Sequence, residues 1–324
     1  MPRPVDVPDL AERARRGEQL AVARLLSLVE DGAEAALREV AGALVTHTGR
    51  AHVVGVTGAP GVGKSTTTSA VVGALRAQGR RVGVLAVDPS SPFSGGALLG
   101  DRVRMGEHAT DDGVFIRSMA TRGHLGGLAR ATPQALRVLA AAGCDVVLVE
   151  TVGVGQSEIE VVGLADTTVV LVAPGMGDGV QAAKAGILEI ADVFVVNKAD
   201  RDGARQTARD LRNMLSLAEP SAGDAWKPEV VRTVAARGEG VDDVVSALDA
   251  HREWLDRSGE RRRRSRVRAE AEIRAIALDA VRSRMEDLRG AAGLPQLAER
   301  VLDGELDPYG AADELTGRLG GPGR

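Results

Sequence analysis

An α/β fold, a mostly parallel sheet flanked by helices, is what the 324-residue sequence predicts, and three observations carry it. Short apolar runs over 52–57, 82–87, 145–149, 168–173, 193–196 and 230–234 alternate with segments of helical periodicity, the pattern of parallel strands joined by crossover helices. The first run, Val53-Val54-Gly55-Val56, breaks into a glycine-rich loop and then into a helical stretch. Polar residues follow several of the runs at once, and in such folds ligands sit at the carboxyl ends of the strands.

The loop reads Gly58-Ala59-Pro60-Gly61-Val62-Gly63-Lys64-Ser65-Thr66, and Gly58, Gly63, Lys64 and Ser65 satisfy GxxxxGK(S/T). Glycines there let backbone N–H groups cradle phosphate oxygens, and the following helix adds the positive end of its dipole. Lys64 is then expected to reach the β- and γ-phosphates and Ser65 a Mg²⁺ ion. The flanking strand and helix set this loop apart from a chance glycine-rich turn. The expected fold is that of a P-loop NTPase.

Composition narrows the rest. A net charge of −4 argues against general nucleic-acid binding, which calls for a basic domain. No apolar stretch reaches the roughly 18 residues that cross a bilayer, and Asp6, Asp9 and Glu12 stand where a signal peptide would be apolar. With Cys144 the single cysteine, neither a disulfide framework nor a thiolate metal site is available, so a reducing cytoplasm is the expected location. Only Lys64, Lys184, Lys198 and Lys227 are lysines among the 41 basic side chains, leaving 41 − 4 = 37 arginines. In so arginine-rich a chain, a retained lysine hints at work that suits a compact ammonium or an aliphatic stem.

Taken in order, residues 3–45 space Leu10, Leu25, Leu26, Val29 and Val40 as two or three amphipathic helices, an N-terminal helical arm assigned to 1–48. A nucleotide-binding domain follows over 49–256. Asp88 ends the second apolar run, and a carboxylate there suits direct or water-mediated contact with Mg²⁺; Asp101, beyond Gly95-Gly96, is a further candidate ligand. After 145–149 comes Glu150-Thr151-Val152-Gly153-Val154-Gly155-Gln156-Ser157-Glu158. Glu150 is placed to contact the metal through water or to orient the attacking water, Gly153 to sense the γ-phosphate through its amide, and Gln156 to position water. His108 and His124 lack metal-ligand spacing and receive no chemistry.

After 193–196 stands Asn197-Lys198-Ala199-Asp200, an NKxD match. The Asp200 carboxylate accepts from guanine N1–H and the 2-amino group, which adenine does not offer; Lys198 lays its stem along the purine, and Asn197 braces the loop. Beyond 230–234, Val234-Ala235-Ala236 falls where GTPases place a Ser-Ala loop that gives a backbone N–H to guanine O6, with Val234 in the place of the usual Ser. Past residue 250, Arg261-Arg262-Arg263-Arg264 precedes Ile273, Ile276, Ala277, Ala280 and Val281 at helical spacing. With no aromatics interleaved for base stacking, this reads as a solvated helix face.

Together the 58–66 loop, Asp88-Pro89-Ser90-Ser91 with Gly95-Gly96 and Leu99-Gly100-Asp101, the Glu150–Glu158 run and Asn197–Asp200 resemble the MeaB/ArgK family of GTPases. The resemblance spans most of 10–315 and implies a homodimeric GTPase, with GTP or GDP bound and Mg²⁺ as cofactor, that protects an adenosylcobalamin-dependent acyl-CoA mutase, such as methylmalonyl-CoA mutase, and gates its cofactor loading. It also implies that residues 257–324 form a C-terminal helical dimerisation arm. The segment Ala173–Lys184 would couple nucleotide state to the mutase, giving Lys184 a functional role. Two alternatives stand beside this reading. A nickel-insertion GTPase lacks support from any His-rich or Cys-rich tract, and an ATP-dependent kinase linked to amino-acid transport is disfavoured by Asp200.

Overall fold

The computed structural model describes residues 5–31, 34–45, 51–88, 106–108, 110–120, 131–151, 163–175, 190–217, 225–290 and 293–319. The chain divides into two compact units, Met1–Arg261 and Arg262–Arg324.

The first unit is built on seven parallel strands: β1 (His52–Gly58), β2 (Val82–Asp88), β3 (Val114–Ala120), β4 (Val146–Thr151), β5 (Thr167–Val172), β6 (Val193–Val196) and β7 (Glu229–Arg232). Their order across the sheet is β3-β2-β4-β1-β5-β6-β7, which puts the glycine-loop strand at the centre. Alternation along each strand then feeds two cores. On β4, Val147 and Val149 face one side and Val146 and Leu148 the other; on β2, Leu85 and Val87 separate likewise from Val82 and Val84. The first core also takes α1 (Val7–Arg15), α2 (Gln19–Asp31), α3 (Glu34–Leu44) and α5 (Thr132–Ala141), so the N-terminal helices share buried Leu25, Val29 and Val40 with the sheet. The opposite core is filled by α4 (Lys64–Ala77) and α7 (Val241–Ser258) through Val72, Leu75, Val244 and Leu248. A third cluster seats α6 (Ala204–Leu217) on Val170, Phe194 and Val196.

β3 is a strand that the apolar runs did not announce. Its sequence, Val-Phe-Ile-Arg-Ser-Met-Ala, carries Arg117 and Ser118 in mid-run, an interruption that breaks the apolar signature of a buried parallel strand. As the edge strand it tolerates them, because Arg117 Nε donates to Glu30 Oε2 of α2 at 3.0 Å.

A buried polar relay closes the amino edge of the sheet. His52 Nε2 lies 2.6 Å from Thr167 Oγ1, which lies 2.7 Å from His251 Nδ1 on α7, and His251 Nε2 is 3.3 Å from Asp192 Oδ1. Both tryptophans of the chain, Trp226 and Trp254, pack on the His251 ring at centroid distances of 4.7 and 5.5 Å. Burial pushes the His52 imidazole down to about 3, against the opposing pull of Asp166. Cys144 is likewise buried, and desolvation raises its thiol to about 12, which makes it inert at neutral pH.

The second unit comprises the greater part of α8 (Glu260–Gly290), α9 (Leu294–Leu302) and α10 (Pro308–Leu319). Leu297 and Leu315 are buried, and Arg300 Nη1 bonds Glu314 Oε2 at 2.8 Å, tying α9 to α10. Along α8, Val267, Ile273, Ile276, Leu278 and Val281 are exposed.

Candidate nucleotide site

Strand β1 runs into the glycine loop at Gly58, where φ is +142° and a Cβ would meet the Leu171 carbonyl oxygen of β5 at 2.4 Å. Only glycine lets the chain leave the sheet so close to its neighbour. Gly63, at φ +97°, is the N-cap of α4 and makes no side-chain cap bond, the arrangement that leaves first-turn amides for an anion. The Lys64 ammonium is buried, and its Nζ donates to the Gly58 carbonyl at 2.7 Å and the Ala59 carbonyl at 3.2 Å. It is thereby held across the mouth of the loop in which the sequence places phosphate.

Ser65, the next residue of α4, donates from Oγ to Glu150 Oε1 at 2.6 Å, and both side chains are buried. β1 and β4 are paired with Val56 opposite Glu150, and this register brings the β4 carboxylate to the phosphate loop. A hydroxyl and a carboxylate in contact form a hard oxygen donor pair, the chemistry Mg²⁺ selects. Asp88 ends β2 at the same carboxyl edge, since Ala86 pairs with Glu150 and Val87 with Thr151.

Asn197 joins three segments. Its Nδ2 donates to the Val62 carbonyl at 2.9 Å, while its Oδ1 accepts from Thr233 Oγ1 and from Ala235 N–H, both at 3.1 Å. The side chain passes so close that a Cβ on Gly63 would sit 2.4 Å from Nδ2. Lys198 follows at φ +56°, the one positive φ at a non-glycine position among the described residues, and its Nζ donates to the Gly61 carbonyl at 2.6 Å. A left-handed lysine costs on the order of 1 kcal/mol and persists where neighbouring bonds fix it; here the Asn197 N–H to Val172 and Ala199 N–H to Thr233 bonds, both 2.9 Å, do so. Asp200 is exposed and lies 3.5 Å from Arg237 Nη2, an ion pair that motif matching did not single out.

The structure thus brings Gly58–Thr66, Glu150 and Asn197–Asp200 to one edge of the sheet, with Val234, Ala235 and Ala236 beside them. Within the Val234-Ala235-Ala236 turn that the sequence names, Ala235 N–H is engaged by Asn197, while Ala236 is exposed. Asp101, Gly153, Gln156 and Lys184 lie outside the described residues, as does the side chain of Asp88. The one signal for Arg237 was its place in the glycine-rich turn after β7, where no nucleotide motif names a residue.

A parallel sheet with a glycine phosphate loop at its centre and an NKxD turn two strands away defines a P-loop GTPase. The family model described as methylmalonyl-CoA mutase-associated GTPase MeaB matches residues 22–289. A Pyrococcus abyssi protein that bears a provisional GTPase name is 47% identical over 98% of both chains. The GTPase ArgK of Escherichia coli is 38% identical over 76% of each chain. A solved structure described as an LAO/AO transport system kinase superposes with a TM-score of 0.70 at 28% identity, covering 97% of both chains. The chain belongs to the MeaB family of GTPases.

Proposed function

We propose that this protein hydrolyses GTP to GDP and phosphate and uses that cycle to protect an adenosylcobalamin-dependent acyl-CoA mutase and to gate its cofactor loading. The observation that carries the nucleotide half is the Asn197 junction, which makes the phosphate loop and the base-reading loops one scaffold. The family description, naming methylmalonyl-CoA mutase, supports the partner half.

In this reading the amides of 58–66 cradle the phosphates, and Lys64 moves from its two loop carbonyls to the β- and γ-phosphate oxygens. Ser65 and Glu150 would hold Mg²⁺, with Asp88 and Asp101 as further oxygen ligands, and the ion would supply positive charge to the phosphate-binding loop. Glu150 or Gln156 orients the attacking water, and Gly153 senses the γ-phosphate. Asp200 accepts from guanine N1–H and the 2-amino group, Lys198 covers one purine face with its stem, and Ala236 gives its amide to O6. Catalysis is then positioning and charge stabilisation without a covalent intermediate.

The exposed apolar residues of α8 support a homodimer through the C-terminal arm, and Lys184 is assigned to coupling with the mutase. GTP turnover with and without methylmalonyl-CoA mutase, alongside the absorbance of adenosylcobalamin during loading, tests the proposal. Stimulated turnover and GTP-dependent loading are expected; turnover and loading indifferent to each other would overturn the chaperone role. A second reading, an ATP-dependent kinase, has behind it the description of the solved relative. Asp200 and Lys198 speak against it, and preferential ATP turnover would be its mark.

A further inference from the structure

The base-reading end of the site contains a cation that no nucleotide motif requires. Arg237 sits in a one-turn 3₁₀ segment, Ala235–Arg237, whose ends are pinned by Arg237 N–H to the Val234 carbonyl at 2.8 Å and Val234 N–H to the Glu239 carbonyl at 3.0 Å. From there Nη2 lies 3.5 Å from Asp200 Oδ2 and Nη1 lies 3.8 Å from Glu239 Oε1. The same turn is tied to the Asp200 loop by Ala199 N–H to the Thr233 carbonyl at 2.9 Å and by Ala235 N–H to Asn197 Oδ1 at 3.1 Å. Hydrogen bonds among Asn197, Ala199, Thr233 and Ala235 join the two loops, and the ion pair is the connection that ends on the carboxylate assigned to guanine.

We propose that Arg237 is a specificity-determining positioning residue, holding the Asp200 carboxylate in the plane that lets both its oxygens accept from guanine. The inference rests on the GTPase reading above. Two parallel hydrogen bonds from N1–H and the 2-amino group fix the carboxylate in rotation as well as distance. Asp200 is exposed and would otherwise rotate freely about its terminal torsion, which is broad for carboxylates. A carboxylate offers about four lone-pair sites, so one guanidinium contact at Oδ2 leaves acceptor sites on both oxygens for the base. Glu239, with Oε1 3.8 Å from Nη1, shares the same guanidinium.

The consequence separates this role from stacking or general charge attraction. A base that makes two bonds to Asp200 depends on the carboxylate plane, whereas hypoxanthine, which lacks the 2-amino group, makes one bond and tolerates rotation. Displacement of a fluorescent GDP by GDP and by IDP is to be measured for the full-length protein, Arg237→Ala and Arg237→Lys. Arg237→Ala is expected to weaken GDP about fivefold, the upper range for an exposed ion pair, to weaken IDP less than twofold, and so to lower the GDP-to-IDP preference; Arg237→Lys restores part of that preference. Equal weakening of GDP and IDP, or no weakening of either, overturns the inference. Failure of the unmodified protein to bind GDP would instead overturn the GTPase reading itself.

Discussion

Replacing Asn197 by alanine removes the junction on which the site depends. Three hydrogen bonds are lost, to the Val62 carbonyl, the Thr233 hydroxyl and the Ala235 amide, all at positions that are nearly or fully buried. Each bond contributes about 1 kcal/mol net, and a buried group left without its partner adds about 1–3 kcal/mol of desolvation. The Ala235 amide, within the 6% exposure of its residue, is the group worst placed to find water. A loss of roughly 3–5 kcal/mol follows for the unit containing residues 1–261, or on the order of 10 °C in its melting temperature. Urea denaturation followed by far-ultraviolet circular dichroism measures it, with the midpoint falling and the slope unchanged. Nucleotide affinity falls as well, since the side-chain bonds that tie Val62 of the phosphate loop to Thr233 and Ala235 of the turn after β7 are gone. A loss below about 1 kcal/mol, or unchanged GDP affinity, would refute the view that one side chain unites the loops.

Two other perturbations probe separate parts of the molecule. Lys64→Ala should reduce GTP turnover by about a hundredfold or more, because an ammonium at the transferring phosphoryl group is removed; activity within a few-fold of the unmodified protein would remove Lys64 from the mechanism. His52 is held neutral by burial, with its folded-state value near 3 and an unfolded value near 6.5. On acidification the unfolded chain therefore takes up this proton first, and the stability present above about pH 6.5 is lost as pH falls towards 3, by about 2 kcal/mol at pH 5. His52→Gln should flatten that slope between pH 7 and pH 5 in urea titrations, and an equal loss in both proteins would assign the acid sensitivity elsewhere.

How much of this was legible in the sequence depended on whether the chemistry is local. The phosphate loop and Asn197–Asp200 are contiguous motifs whose residue types are forced by close backbone approach and by base recognition, so they were readable without a structure. That Ser65 and Glu150, 85 residues apart, touch was inferable only by knowing that β1 and β4 are neighbours. β3 escaped because an edge strand can carry Arg117 once Glu30 of α2 receives it, and nothing near residue 117 announces that partner. The His52, Thr167, His251 and Asp192 relay was hidden for the same reason, four polar residues drawn from two strands, a helix and a turn. Arg237 escaped because its meaning lies in where the turn after β7 places it, against Asp200.

The central claim, that this site reads guanine through Asp200, is tested most directly by exchanging the acceptor for a donor. Binding of GDP, XDP and ADP is to be measured by fluorescent-nucleotide displacement for the unmodified protein and for Asp200→Asn. Guanine and xanthine differ at position 2, where an amino donor becomes a carbonyl acceptor, so the amide of the variant matches xanthine as the carboxylate matches guanine. The account predicts GDP preferred over ADP and XDP by the unmodified protein, and a reversal towards XDP in the variant. ADP binding as tight as GDP, or a variant that keeps its full GDP preference, would contradict it.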